Sequence, residues 1–346
     1  MALLQSPVLW VAVTLAITLV IANTMGLFGA NRMPVDGKTV LITGGSEGMG
    51  LAVATQLSAK GANLILVSRS AAKLEDAMKA VKAAAKNPST QRFHYIPADV
   101  SVPSYADTVV AAATAWNGDR APDVVWCIAG VAVPKLFIET DAAALRRQMD
   151  INFHGTADMA HAILRAWLAP GPDTTSSPKH LVMTSSAAAL YTIPGYAGYA
   201  PSKWALRGLA DTLSQEVLLY PGRDVRVHVV FPGTILSPGF VAEERTKPEV
   251  TRQLEAADPK QTPEEVARAA IRGLEAGQFM VVVNWLGHLM RFGVIGGSLR
   301  NSWLLDTLGA WLVPLIWIFV QHDQLSTVRN FGKKHGHPST YAKTQE

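Results

Sequence analysis

The short run KTVLITG enters a turn that reads T-G-x-x-x-G-x-G, with Gly44, Gly48 and Gly50 at its fixed places, and the helix-like GLAVATQLSAKG follows. A buried strand, a glycine turn and a helix in that order constrain the fold more than any other stretch. The glycines let the backbone turn tightly and approach a bulky anion. The helix start offers free N–H groups and the positive end of its dipole. The theme recurs: ANLILVSR, DVVWCIAG, KHLVMTSS, VRVHVVFPG and QFMVVVN are short apolar runs bounded by polar residues or glycine. Such runs read as strands buried on both faces. Helical stretches intervene, among them ALRRQMDINFHGTADMAHAILRAWLA. Strands alternating with helices predict a doubly wound parallel sheet with right-handed crossovers over residues 37–283.

In such a Rossmann-type α/β domain the first turn is a dinucleotide site. Gly44, Ser46, Glu47, Gly48 and Gly50 line it, Glu47 being an awkward charge among phosphates. An NAD site usually carries an acid about 20 residues on, bonded to the ribose 2′-hydroxyl. The second strand here ends in Ser68 and Arg69, and Lys73 lies one helical turn further. Two cations suit a 2′-phosphate, so the cofactor expected is NADP(H). The competing reading of Arg69 and Lys73 is a solvated helix start. Asp99 and Val100 end the next strand in PADV. Asp99 either meets the adenine amino group or caps a helix.

In GYAGYAPSKW, only Tyr199 has a lysine four places on, Lys203; Tyr196 has Ala200 at that place. A tyrosine with its usual pKa of ~10 is a reluctant acid, and a lysine on the same helix face is expected to lower it. Pro201 fits a first helical turn and so puts Tyr199 at the helix's positive end. Ser186 lies thirteen residues before Tyr199, at a strand end. Taken in order, the glycine turn, Ala129-Gly130 after the fourth strand, Asn152, Ser186 and Tyr199-x-x-x-Lys203 resemble the short-chain dehydrogenase/reductase superfamily. The resemblance implies roles. Ser186 polarises a substrate carbonyl, and Tyr199 gives the proton. Lys203 supports Tyr199 and holds the nicotinamide ribose. Asn152 sits mid-helix near Lys203 and supports a water relay. Pro232, Gly233, Ile235 and Ser237 border the nicotinamide carboxamide and the pyrophosphate. Cys127 departs from the pattern, standing where the superfamily commonly has a sheet-bracing asparagine; it reads as a small buried hydrophobe. Residues 240–265 fall where the superfamily places a mobile lid, and their folding is not readable from pattern.

Both ends of the chain are apolar. Val8 to Phe28 gives a run long enough to cross a bilayer, uncharged until Arg32. Without a positive n-region it reads as an uncleaved anchor (residues 1–31) rather than a signal peptide. Arg32 and Lys38 on its downstream side place the next domain in the cytosol, and the single cysteine agrees. Residues 284–320 are tryptophan-rich but interrupted by Arg291, Arg300 and Asp306. They predict a membrane-dipping hairpin or interfacial helices, the competing reading being a buried helix or dimer interface. A polar tail, 321–346, follows. Charged residues make up only 17% of the chain and its net charge is +4, which argues against a nucleic-acid partner. The histidines are scattered, so no metal is expected.

YAPSKWALRGLADTLSQEV, SPGF and SRSAAKLEDA resemble one subfamily, the 3-ketodihydrosphingosine reductases. That resemblance implies NADPH-dependent reduction of a long-chain keto-sphingoid base at the endoplasmic reticulum membrane, with the active site facing the cytosol. Microsomal steroid and retinoid dehydrogenases share much of the pattern. A membrane scaffold that binds NADP without turnover is a third reading. Superfamily members are often dimers or tetramers through the helices bearing Asn152 and Tyr199, so the resemblance leaves the oligomeric state open.

Overall fold

A computed structural model describes residues 30–170 and 177–336. The first half comprises β1 (Thr39–Thr43), α1 (Gly48–Ala59), β2 (Asn63–Ser68), α2 (Ala71–Ala83), β3 (Phe93–Pro97), α3 (Tyr105–Trp116) and β4 (Val124–Cys127). The second continues through α4 (Ala142–Met149), α5 (Gly155–Trp167), β5 (Lys179–Thr184), α6 (Ala200–Glu216) and β6 (Val225–Phe231). After it come β7 (Thr234–Ile235), α7 (Pro238–Glu244), α8 (Glu249–Leu254), β8 (Lys260–Gln261), α9 (Pro263–Glu275), β9 (Met280–Val282), α10 (Trp285–Val294) and α11 (Trp303–His335).

Seven parallel strands form one sheet in the order β3-β2-β1-β4-β5-β6-β9. Both faces are covered, which is why the strands read as unbroken apolar runs. Val40 and Ile42 of β1 face one core with Leu57, Leu74 and Ile271. Leu41 between them faces the other with Val109, Met159 and Ile163. The chain winds outward from β1 to β3, then crosses back to β4 on the other side of β1. The crevice at the carboxyl ends of β1 and β4 is therefore the switch point where such sheets hold ligands. Thr262 and Glu265 form a reciprocal capping box at the start of α9, fixing the helix that packs against α1.

Two departures from expectation lie along the helices. The stretch expected as one helix from Ala144 is α4 and α5 joined by a π-helical turn, Asp150–His154, with Asn152 at its centre. One extra residue per turn re-aims a side chain without ending the helix. The presumed polar tail from Gln321 is not separate either: α11 runs through it to His335 and ends at Gly336, whose φ is 77°. Nothing between Gln321 and His335 breaks a helix, so the change in polarity marks no structural boundary.

Among the described residues α11 alone is long and apolar enough to cross a membrane, with a mean hydropathy of 1.8 and 11% of its apolar window buried. Membrane segments at both ends are thus reduced to one candidate here; the expected anchor at Val8–Phe28 lies outside the described residues. Arg291 and Asp306, which interrupt the apolar sequence, pair with each other. The guanidinium meets the carboxylate through two bonds of 2.8 and 2.7 Å, with side chains only 4% and 1% exposed. Asp306 also accepts from Asn301 N at 2.7 Å. The hairpin is fastened to the sheet domain at two points. The Asn301 amide pairs with the backbone of Phe279 and Met280 beside edge strand β9. Arg207 of α6 donates to the carbonyls of Val294 and Ile295 and to Ser298 Oγ.

Candidate active site

The glycine turn sits at the switch point. Gly44 has φ 71°, and a Cβ there would lie 2.7 Å from Ala129 N on the loop after β4. At Gly50 a Cβ would fall 2.0 Å from Gly44 O, so no side chain is tolerated where the turn closes on itself. Gly48 has φ 53° and lies against Ser237, which caps α7 by accepting from Phe240 N. The backbone here forms a tight cradle, and Ser237 lies at its edge.

At the rim, Ser46 Oγ donates to Ser68 Oγ at 2.9 Å. Arg69 follows β2 with no acid beside the ribose position, and its guanidinium stands 3.9 Å from Asp99. Asp99 turns back on its own loop, accepting from Ser101 N and Oγ. Burial pushes this carboxyl up, but the Ser101 bonds, Arg69 and Arg147 outweigh it and hold it below its ordinary value. Asp99 therefore closes a local turn and caps no helix, the N-cap position of α3 being Ser104. Val100 is buried against Gly155. Lys73 is not free as expected: its Nζ lies 2.7 Å from Glu47, which relieves the awkward charge of Glu47 beside the cradle. The glycine cradle, the two hydroxyls and Arg69 fit a dinucleotide.

Across the crevice, Tyr199 occupies the N-cap position of α6, with Pro201 in the first turn. Lys203 is 3% exposed; its Nζ lies 5.6 Å from the Tyr199 ring centre and donates to Thr184 O at 3.0 Å. Ser186 hydrogen-bonds the Tyr199 hydroxyl. The loop carrying Ser186 is held by Ala187 N, which donates to Pro232 O at 2.8 Å. Gly233 abuts Asn284, and Ile235 pairs with Gln261 in the two-stranded ribbon β7-β8. Asn152 is fully buried. It accepts from Val131 N at 2.8 Å and donates to Val131 O and to Ser202 Oγ at 2.9 and 3.0 Å. It thereby ties the loop after β4 to the helix of Tyr199, next to Lys203, since Gly130 borders both side chains.

One electrostatic expectation is reversed. Tyr199 is pushed above its ordinary value by burial; the Ser186 bond works against this and the charge of Glu243 adds to it. Lys203 does not offset the desolvation and is itself pushed down to about 8 by burial. Spacing along a helix shows which groups meet, but not how dry the meeting place is. Cys127 is buried and its thiol is pushed up to about 12 by burial, inert as expected.

Sequence reasoning missed a cluster beside Tyr199. The Tyr196 ring lies 5.8 Å from that of Tyr199, and its hydroxyl stands 2.5 and 2.7 Å from Glu243 on α7 and Glu255 just past α8, one proton lying between the two carboxylates. Lys247, 2% exposed, lies between α7 and α8 with its Nζ 2.5, 2.7 and 3.1 Å from Glu244, Glu255 and Glu243. The spacing of Glu243 and Glu244 from Lys247, one helical turn, was the available signal. The segment 240–265 is therefore folded, and latched to the loop that carries Tyr199.

The family model described as short chain dehydrogenase matches residues 38–248. The chain is 56% identical over 324 residues to the 3-ketodihydrosphingosine reductase gsl-3 of Neurospora crassa, covering 92% of this chain and 90% of that protein. It is 44% identical to the 3-ketodihydrosphingosine reductase ksrA of Aspergillus fumigatus, covering 95% and 96%. Among solved structures, a short-chain type dehydrogenase/reductase from Mycobacterium ulcerans aligns with a TM-score of 0.61 at 27% identity, covering 72% of this chain and 89% of that one.

Proposed function

We infer the function from one premise: the chain belongs to the short-chain dehydrogenase family. It is an oxidoreductase built on a nicotinamide-binding Rossmann domain. We propose that it reduces 3-ketodihydrosphingosine to dihydrosphingosine, the activity for which both fungal relatives are named, and that its cofactor is NADP(H). The likeness to gsl-3 over 92% of the chain carries the reading.

The bound cofactor supplies the hydride that goes to the ketone carbon. The chain's own residues handle the oxygen. Ser186 donates a hydrogen bond to the ketone oxygen, and that bond strengthens as charge develops there. Tyr199 gives its proton to the same oxygen. Because burial holds the phenol protonated, it is loaded with its proton across the neutral range. The Lys203 ammonium favours the tyrosinate left behind. Asn152 keeps Val131 and Ser202 in place around these groups. Gly44, Ser46, Gly48 and Gly50 receive the pyrophosphate, with Pro232, Gly233, Ile235 and Ser237 on its nicotinamide side. Arg69 receives the 2′-phosphate, with Lys73 held near by Glu47.

The apolar face of α11 suits an enzyme whose substrate stays in a bilayer. We place the catalytic domain (37–283) on the cytosolic face of the endoplasmic reticulum membrane, with the hairpin from residue 284 in the lipid interface. Purified full-length protein, offered NADPH with 3-ketodihydrosphingosine, a steroid ketone or retinal, is expected to consume NADPH fastest with the first. No oxidation with any of them overturns the reading and leaves a cofactor-binding scaffold.

Arg69→Asp is expected to lower the NADPH-to-NADH preference by on the order of 100-fold, since it removes charge-assisted donors and adds a carboxylate near Asp99. Initial rates with the two cofactors measure this. An unchanged ratio would mean the 2′-phosphate is held elsewhere.

A further inference from the structure

The carboxylates beside Tyr199 are not equivalent. Glu255 has both oxygens occupied, Oε1 by the Tyr196 hydroxyl and Oε2 by Lys247. Glu244 has both engaged as well, Oε1 by Lys247 and Oε2 by Arg252 at 3.4 Å. Glu243 is different. The Tyr196 hydroxyl and Lys247 Nζ both fall on its Oε1, and its Oε2 accepts nothing among the described residues. Glu243 is also the only one of the three whose charge is felt at Tyr199. It is mostly buried, its side chain 19% exposed, and it is held from behind by a tyrosine and a lysine that are themselves buried.

Charge is unbalanced in the same place. Glu243, Glu244, Glu255 and Asp258 face Lys247 and Arg252. Burial first, and then the charge of Glu255, push Asp258 up to about 6. Four carboxylates against two cations leave a place for a further cation near Tyr199.

We propose that Glu243 is a specificity-determining residue of this site: its free carboxylate oxygen receives the amine that the substrate carries on the carbon next to its ketone. The inference rests on the keto-sphingoid reading above. A ketone oxygen seated on Ser186 and Tyr199 leaves that amine one carbon from the reacting centre, and Glu243 reaches this neighbourhood through Tyr196, whose ring lies 5.8 Å from that of Tyr199. A steroid ketone or retinal has no amine to put there and leaves Oε2 of that carboxylate without a donor in a partly dry site, so it is disfavoured.

The test compares kcat/KM for 3-ketodihydrosphingosine with kcat/KM for 1-hydroxyoctadecan-3-one, the same chain without the amine. The parent enzyme is expected to favour the amino ketone, and Glu243→Gln to lower that preference by about 10- to 100-fold, the worth of a hydrogen bond to a charged group. Glu255→Gln removes the same charge from an oxygen pair already occupied, and is expected to keep the preference. A Glu243→Gln enzyme that loses both ketones equally overturns the inference, because the residue is then only a latch. An equal fall in preference from Glu255→Gln overturns it too, because the effect is then a general field. A parent enzyme that reduces both ketones alike overturns the inference and spares the reading of function. One that reduces neither overturns that reading and the inference with it.

Discussion

Tyr199→Phe is expected to hold NADPH as the parent enzyme does and to reduce ketone about 10²- to 10⁴-fold more slowly, the usual worth of a positioned general acid. The ring stays and fills the same space, and only the hydroxyl goes. That hydroxyl is bonded to Ser186, so the change in stability is on the order of 1 kcal/mol and the protein remains folded at assay temperature. Cofactor titration by fluorescence and single-turnover reduction separate the two effects. Turnover near the parent rate would show that the proton comes from another group. The parent enzyme's pH profile offers a second readout. Tyr199, pushed up by burial, stays protonated through neutrality, whereas Lys203 loses its charge as pH rises through about 8. The reduction rate is therefore expected to be flat below that pH and to fall above it.

Arg291→Met is expected to destabilise the hairpin by about 3–5 kcal/mol, the usual cost of leaving one member of a buried ion pair alone. Asp306, 1% exposed, would keep only the backbone donors of Asn301 and Ser302. Replacing both residues, Arg291→Met with Asp306→Leu, is expected to recover most of the loss, since apolar side chains of similar volume often substitute for such a pair. Recovery is incomplete because Asn301 N then lacks its acceptor. It is helped by Arg291 Nε, which is already buried without a partner. Thermal melts of the parent, the single and the double variant in one detergent measure all three. A single variant that melts with the parent would show that the pair does not hold the hairpin.

Much of the fold was written locally. TVLIT is buried at every position, and a run like that between polar boundaries has few alternatives to a central parallel strand. Gly44 and Gly50 were readable because their backbones leave no room for a side chain. Tyr199 and Lys203 were readable as a pair because helix geometry alone brings them to one face. What was not legible depends on elements far apart in sequence. Tyr196 meets Glu243 and Glu255 only after the chain has wound through β6 and β7. The upward shift of Tyr199 comes from burial, and spacing carries no information about burial. Arg291 and Asp306 looked like interruptions of an apolar surface. They are partners, and only the crossing of α10 with α11 reveals it. Likewise the polar residues after Gln321 suggested a tail, although they continue a helix of 33 residues.

The tie between Arg207 and the turn after α10 has a consequence for how the molecule comes apart. Arg207 lies one turn beyond Lys203 on the same helix, and the residue is only 8% exposed. Its acceptors are the carbonyls of Val294 and Ile295 and the hydroxyl of Ser298, all beyond the point where composition suggests the catalytic domain ends. Cut there, the chain would leave a buried cation with only Asp211, 3.9 Å away, on the helix that sets the Tyr199–Lys203 pair, and edge strand β9 would lose the Asn301 amide as well. The change of composition near residue 284 is thus a seam in solubility rather than in cooperativity. The sheet domain and the hairpin are therefore expected to unfold together, the amides of α6 and β9 exchanging with solvent only when the hairpin opens with them.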